Sequence, residues 1–227
     1  MRHAILKYMQ SEDFAPSLQV SPETINNFFT KTAPKVDMFT NDSPDELKPA
    51  LNENKILVPE VKWDSKSLII DGQRVVPVMG EVHFSRIPAS EWKDEVRKMK
   101  EGGVTIVATY VFWNHIEEQE GIFNWSGQRD LRRFIEICKE EQLPVILRIG
   151  PFCHGEVRNG GIPDWVFATG CKTRSQDPVF LSFVDKLYRQ IFSQIQGLQW
   201  KDGGPLMACQ FDNEYRGSGD YLMALKR

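Results

Sequence analysis

The sequence predicts an α/β protein built on a parallel sheet, and three observations carry that prediction. From Val61 onward, apolar strand-like runs alternate with amphipathic helical stretches in the order β-α-β-α-β-α-β. The later strands are apolar almost throughout, as in strands covered on both faces. Each then breaks into polar and aromatic residues at its C-terminal end, the side on which parallel α/β folds build their sites. The helical stretches supply the right-handed crossovers that parallel strands need. A doubly wound sheet and an α/β barrel both fit this pattern.

Residues 1–60 form a polar leader rich in Ser, Thr, Pro, Asn and acids, expected to be flexible or an extended arm, with at most a short helix near Pro22–Thr30. Leu68-Ile69-Ile70 and Val75-Val76-Pro77-Val78 flank Asp71-Gly72, which reads as a hairpin. The second run is expected to continue through Met79-Gly80-Glu81-Val82-His83-Phe84 as one buried strand. A helix follows, with Trp92, Val96 and Met99 on one face and Gly102-Gly103 closing it. Val104–Val111 is a β-branched strand. Leu131, Phe134, Ile135 and Cys138 form the stripe of a second helix. Pro144–Ile149 is a third strand. Asp177 caps a helix that opens on Pro178 and buries Phe180, Val184, Leu187 and Ile191. Pro205–Phe211 is the fourth strand.

The chain has 227 residues, 28 Lys+Arg against 31 Asp+Glu, and 41% hydrophobic residues, a globular composition. Its net charge of -3 argues against nucleic acid as a partner, since phosphate binding needs a basic surface. No apolar run approaches the roughly 20 residues of a membrane span. The first residues also lack a signal peptide's apolar stretch. Cys138, Cys153, Cys171 and Cys209 are far apart and read as reduced, mostly buried thiols. No G-x-G-x-x-G or P-loop follows any strand.

The strand ends carry the chemistry. Glu81, His83 and Arg86 end the first, Tyr110, Trp113 and His115 the second, Arg148, His154 and Glu156 the third, Asp212, Asn213 and Glu214 the fourth. Carboxylates, amides and aromatic walls on one rim suit a sugar, whose C–H faces stack on rings while its hydroxyls take polar groups. Glu214, directly after an apolar strand, is the foremost catalytic or ligand candidate. Glu156 lies in a Gly-rich loop, where an ion pair with Arg158 is the plain alternative. Trp92, Trp125 and Trp165 read as packing residues; Trp113 fits packing or a sugar platform equally. Glu117-Glu118 and Glu120 read as a solvated acidic loop. His83, His115 and His154 could together hold a metal, as in a metal-dependent hydrolase, but no H-x-H or H-E-x-x-H spacing supports one, so none is expected.

Gly80-Glu81-Val82-His83-Phe84-Ser85-Arg86-Ile87-Pro88, Thr109-Tyr110-Val111-Phe112-Trp113-Asn114, Leu147-Arg148-Ile149-Gly150-Pro151-Phe152 and Gln210-Phe211-Asp212-Asn213-Glu214-Tyr215 closely resemble the β-galactosidases of glycoside hydrolase family 35, in order, from Leu68 to Tyr215. The resemblance implies a TIM (β/α)8 barrel that releases terminal β-D-galactose with retention and without a cofactor. It implies Glu214 as general acid/base, Asn213 as the partner of the sugar 2-hydroxyl, and Tyr110 and Glu156 as holders of other galactose hydroxyls. Cys153-His154-Gly155-Glu156-Val157 departs from the family's usual Cys-Ala-Glu-Trp. The family's nucleophile, a second Glu, has no counterpart. Residues 61–227 are therefore expected to be the first four β/α units of a truncated barrel, inactive alone and prone to self-association through open edges. The competing expectation is a non-catalytic, carbohydrate-binding or decayed fragment.

Overall fold

The computed structural model describes residues 60–70 and 72–226. The polar leader expected over 1–60, with its helix near Pro22–Thr30, lies outside the described residues apart from Glu60. A small antiparallel sheet comes first: β1 (Val61–Trp63) pairs with β2 (Leu68–Ile70), which pairs with β3 (Gln73–Val75). The chain reverses between Ile70 and Gln73, with Gly72 at a φ of 80° that a Cβ would oppose. β1 has no counterpart in the sequence reading, because three residues cannot display a period.

One expectation fails here. The run from Val75 to Phe84 is not a single buried strand. β3 stops at Val75, Val76 is 81% exposed, and Pro77 has no N–H to extend the ladder. A second sheet begins with β4 (Met79–Glu81), and Phe84–Arg86 is a 3-10 turn. β4 is joined by β5 (Ile106–Tyr110), β6 (Val145–Arg148) and β7 (Leu206–Gln210), all parallel and side by side in sequence order. The longer helices are α1 (Trp92–Glu101), α3 (Leu131–Glu140) and α5 (Pro178–Ile195). Short helices α2 (Trp113–Ile116), α4 (Asp164–Ala168) and α6 (Gly219–Leu225) sit in the segments after β5, β6 and β7. Asp177 caps α5 as expected, its Oδ1 accepting from the Val179 and Phe180 N–H groups at 2.9 and 3.2 Å.

The core lies between the helices and the sheet face carrying Val107, Val145 and Leu147. Phe84 stacks on Phe134 at 5.3 Å between ring centroids, and the buried Trp92 indole donates to the Phe84 carbonyl at 2.9 Å. Each such fully buried side chain contributes roughly 1.5–3 kcal/mol. α1 packs so closely on β4 that a Cβ at Gly80 would lie 2.8 Å from the Met99 side chain. Alternation along each strand puts Ile106, Ala108, Tyr110, Ile146 and Arg148 on the opposite face.

Glu117 corrects a second expectation. It is 2% exposed, not solvated: its carboxyl oxygens accept from the Trp113 indole at 2.6 Å and from the Gly121 N–H at 2.7 Å. Trp113 is fully buried against Trp165 and belongs to the core, so it offers no sugar platform. Of the free cysteines, Cys138 and Cys153 are buried, Cys171 is partly buried and Cys209 is exposed on β7. Burial pushes the Cys138 thiol up to about 12.

α1 and α3 are also tied by ions. Lys93 and Arg133 reach the Glu140 carboxylate at 2.8 and 2.7 Å and hold its pKa down at about 2. A depressed carboxylate stabilises the fold above its unfolded value of about 4.3, and that contribution is lost as pH falls through about 2. The urea midpoints of the wild type and Glu140→Gln should therefore differ modestly at pH 6 and converge near pH 2, because the group is exposed. A gap that persists at pH 2 would count against this origin.

Candidate active site

The site begins with strand register. Tyr110, Arg148 and Gln210 are direct partners across β5, β6 and β7, and Glu81 pairs with Ala108 one row away. Partners in a parallel ladder point to the same face, so four strand ends deliver polar side chains to the face away from the helices. Arg148 joins them. It donates to the Glu81 carboxylate through one terminal nitrogen, to Gln210 Oε1 through Nε at 3.0 Å, and to Asn213 Oδ1 through the other terminal nitrogen at 2.6 Å. Its guanidinium also lies 3.9 Å from the Tyr110 ring centre. Burial pushes the Tyr110 phenol pKa well above its ordinary value.

Beyond β7, Asp212 anchors the loop. Its buried carboxylate accepts from the Asn213 N–H at 2.7 Å, from Arg174 at 2.6 Å and from the Tyr221 hydroxyl at 2.8 Å. Arg174 also donates to the Asn213 carbonyl at 2.7 Å and lies 3.9 Å from the Phe152 ring centre, while its buried Nε has no hydrogen-bond partner among the described residues. Asp212 and Glu214 take φ values of 53° and 45°, a left-handed backbone that non-glycine residues adopt only where surroundings hold it. The outcome is a split in direction: Asn213 is buried, whereas the Glu214 side chain is 72% exposed. Asn213 Oδ1 accepts from Arg148 and from Gln210 at 3.1 Å, and its Nδ2 donates to His154 Nδ1 at 2.8 Å.

The loop after β6 closes the rim. His154 and Glu156 are also left-handed, with Gly155 between them. A Cβ on Gly155 would lie 2.7 Å from the Phe112 ring, so only glycine fits there. Arg86 holds the loop from outside, donating to the Gly155 carbonyl at 2.5 Å and to the Glu156 carbonyl at 3.4 Å. It also donates to His83 Nδ1 at 3.0 Å, so the other ring nitrogen carries the proton that reaches Glu81 at 3.0 Å. The Glu156 carboxylate itself is exposed. The ion pair weighed for it is not formed, because Arg158 pairs with Asp164 at 3.0 Å instead.

Arg148 thus brings Tyr110 and Asn213 together, and Glu214 Oε2 stands 3.9 Å from His154 Nδ1. The Glu156 side chain is exposed, and its backbone carbonyl accepts from Arg86. Among the described residues no group of three His, Cys, Asp or Glu could hold a metal. Sequence reasoning placed Arg148 and Asp212 at strand ends without giving either a role, and it did not single out Gln210, Arg174 or Tyr221. A signal existed for Arg148, a charge closing an apolar strand; Arg174 and Tyr221 lie in segments without one.

Comparison with known proteins gives a consistent picture. The protein-family model Glycosyl hydrolases family 35 matches residues 67–226. A β-galactosidase of Xanthomonas manihotis is 40% identical over 163 residues, 71% of this chain and 27% of that protein. The Bos taurus β-galactosidase is 37% identical over 164 residues, 72% of this chain and 25% of its own length. The Homo sapiens β-galactosidase is 35% identical over 173 residues, 74% and 26% respectively. The chain therefore spans about a quarter of the length of these curated relatives. Among solved structures, an exo-β-1,4-mannosidase from Opitutaceae bacterium strain TAV5 superposes with a TM-score of 0.53 at 19% identity, over 66% of this chain and 27% of that one. A GH5_18 protein from Streptomyces cattleya, solved in complex with GlcNAc, gives 0.53 at 12% identity, over 66% and 40%. At such identities the likeness is one of fold.

Removing the anchor carboxylate should be costly. Asp212→Ala leaves Arg174 and the Tyr221 hydroxyl without their buried acceptor, and loss of a buried charged partner costs about 3–5 kcal/mol. Urea unfolding should read that loss in full for Asp212→Ala. A change within about 0.5 kcal/mol, the range of ordinary surface substitutions, would show that the loop does not depend on it.

Proposed function

Because the chain belongs to glycosyl hydrolases family 35, we propose that it supplies the acid/base half of a retaining β-galactosidase site, as the first four β/α units of a (β/α)8 barrel. The observation that carries the reading is the pairing at the end of β7: a buried Asn213 with its amide oriented by Arg148 and Gln210, beside an outward-facing Glu214. Glu214 protonates the leaving oxygen and later deprotonates water. Asn213 Oδ1 already accepts two hydrogen bonds and one amide proton serves His154, so its second amide proton is what it offers the sugar 2-hydroxyl. Tyr110 and Glu156 hold further galactose hydroxyls.

Retention requires a second carboxyl group about 5–5.5 Å from the first. On this face Glu81 is committed to Arg148 and His83, and Asp212 to Arg174, Tyr221 and the Asn213 N–H. A carboxylate already neutralised in this way is a poor nucleophile, and Glu156 is assigned to the galactose hydroxyls, so in this reading the second group comes from outside these four units. The sheet edges favour the same reading. Among the described residues β4 and β7 each have one partner strand, β7 adding a single bridge from Leu206 to Gln199, and they expose Met79 on one edge and Ala208 and Cys209 on the other. Unpaired apolar edges favour association with another chain.

Binding, self-association, turnover and leaving-group dependence test the proposal. The 227-residue chain should bind D-galactose, and Glu156→Gln should weaken that binding about tenfold, whereas Arg158→Gln should not. The same chain should self-associate and give no turnover of an aryl β-galactoside. A monomer with turnover that Glu214→Gln abolishes would place the nucleophile within this half and overturn the half-site. In a protein carrying the completing strands as well, Glu214→Gln should slow glycosylation by alkyl galactosides far more than by activated aryl galactosides, whose leaving groups need little protonation. Equal losses would remove Glu214 from the acid role.

A further inference from the structure

His154 carries a hydrogen-bond donor that nothing in the described protein uses. Its Nδ1 faces Asn213 Nδ2 at 2.8 Å. That amide cannot be turned round, because Asn213 Oδ1 accepts from Arg148 at 2.6 Å and from Gln210 Nε2 at 3.1 Å. Gln210 is fixed in turn, its Oε1 accepting from Arg148 Nε at 3.0 Å. A guanidinium can only donate, so one cation sets both amides. Asn213 Nδ2 is therefore the donor, His154 Nδ1 the acceptor, and the ring proton sits on Nε2. Nδ1 then has no proton for Glu214, and the 3.9 Å between them is no ion pair.

The ring is also held in place. It stands edge-on to Phe152 with centroids 4.5 Å apart, and Phe152 in turn carries the Arg174 guanidinium on its face. The His154 side chain is nonetheless 49% exposed, beside the exposed carboxyl of Glu214. At this rim Glu156 and Glu214, when ionised, can only accept. A sugar hydroxyl both gives and takes a hydrogen bond, so its oxygens need donors, and Arg148 is consumed by protein partners.

We propose that His154 is a specificity-determining sugar contact, its Nε2–H donating to a hydroxyl of the galactose unit bound beside Glu214. This rests on the galactosidase reading above.

The test uses the full chain and D-galactose, followed by calorimetry and by 15N spectra of the histidine rings. The free protein should show His154 as the Nε2–H tautomer, and exchange of that proton should slow on galactose binding. His154→Asn keeps an acceptor near the Nδ1 position but removes the Nε2 donor, and it should weaken galactose binding about five- to tenfold. His154→Gln, which retains a donor at the Nε2 position, should recover part of the loss. If His154→Asn binds like the wild type while Glu156→Gln binds weakly, the contact is wrong and the galactosidase reading stands. If the wild-type chain binds no galactose, the reading fails and this contact with it. A proton on Nδ1 in the free protein would overturn the contact directly, whatever the variants do.

Discussion

The Arg148 guanidinium, set at the end of the third parallel strand, is the interaction on which the rest of the rim depends. It touches the ends of all four strands of the main sheet: Glu81 on β4, Tyr110 on β5, its own β6, and Gln210 with the Asn213 that follows β7. Only a planar, always-charged group with five donors could do this, because the contacts are a carboxylate, two amide oxygens and a ring face. A lysine in its place could meet the charge of Glu81 but would orient neither amide. Arg148 is thus a fold constraint and a site constraint at once. It fixes where Asn213 points, and through Asn213 it fixes the proton of His154.

Around this rigid row, two loops hold unfavourable backbone. His154 and Glu156 after β6, and Asp212 and Glu214 after β7, all sit at positive φ without being glycine. Such conformations persist only where neighbours over-determine them. The neighbours are identifiable: Arg86 grips the Gly155 and Glu156 carbonyls, and Arg174 and Tyr221 grip Asp212. Three arginines from three separate segments therefore position a site whose own polar groups are mostly carboxyl, amide and imidazole. The strained loops turn Asn213 inward and Glu214 outward.

The hydrophobic core explains why this rim faces the side it does. Val107, Val145 and Leu147 bury one face of the sheet under α1, α3 and α5, and Phe84, Trp92 and Phe134 fill the space between. With that face committed, Tyr110, Arg148 and Gln210 have only the other to occupy. Burial also claimed Glu117, which local pattern had assigned to solvent, and decided Trp113, which fitted packing or a sugar platform equally. Glu117 went inside because Trp113, too large to leave exposed at that turn, needed an acceptor for its indole. Neither outcome is visible in a run of glutamates beside an aromatic cluster.

The sequence alone determined the alternation of strands and helices and the Asp177 cap of α5, and it placed Tyr110 at the end of one parallel strand, Asn213 and Glu214 just after another, and Glu156 in the loop after a third. These are local properties: hydrophobic period, capping chemistry and motif spacing depend on residues a few positions apart. Tertiary structure decided the rest. The break at Pro77, the burial of Glu117, the preference of Arg158 for Asp164, and the convergence of Arg86, Arg148 and Arg174 all depend on neighbours in space. Arg174 meets Asp212 across 38 residues and Arg148 meets Asn213 across 65. An arginine's reach and its five donors constrain no particular partner until the strands are in register, so the wiring of the site could be read only from the folded chain.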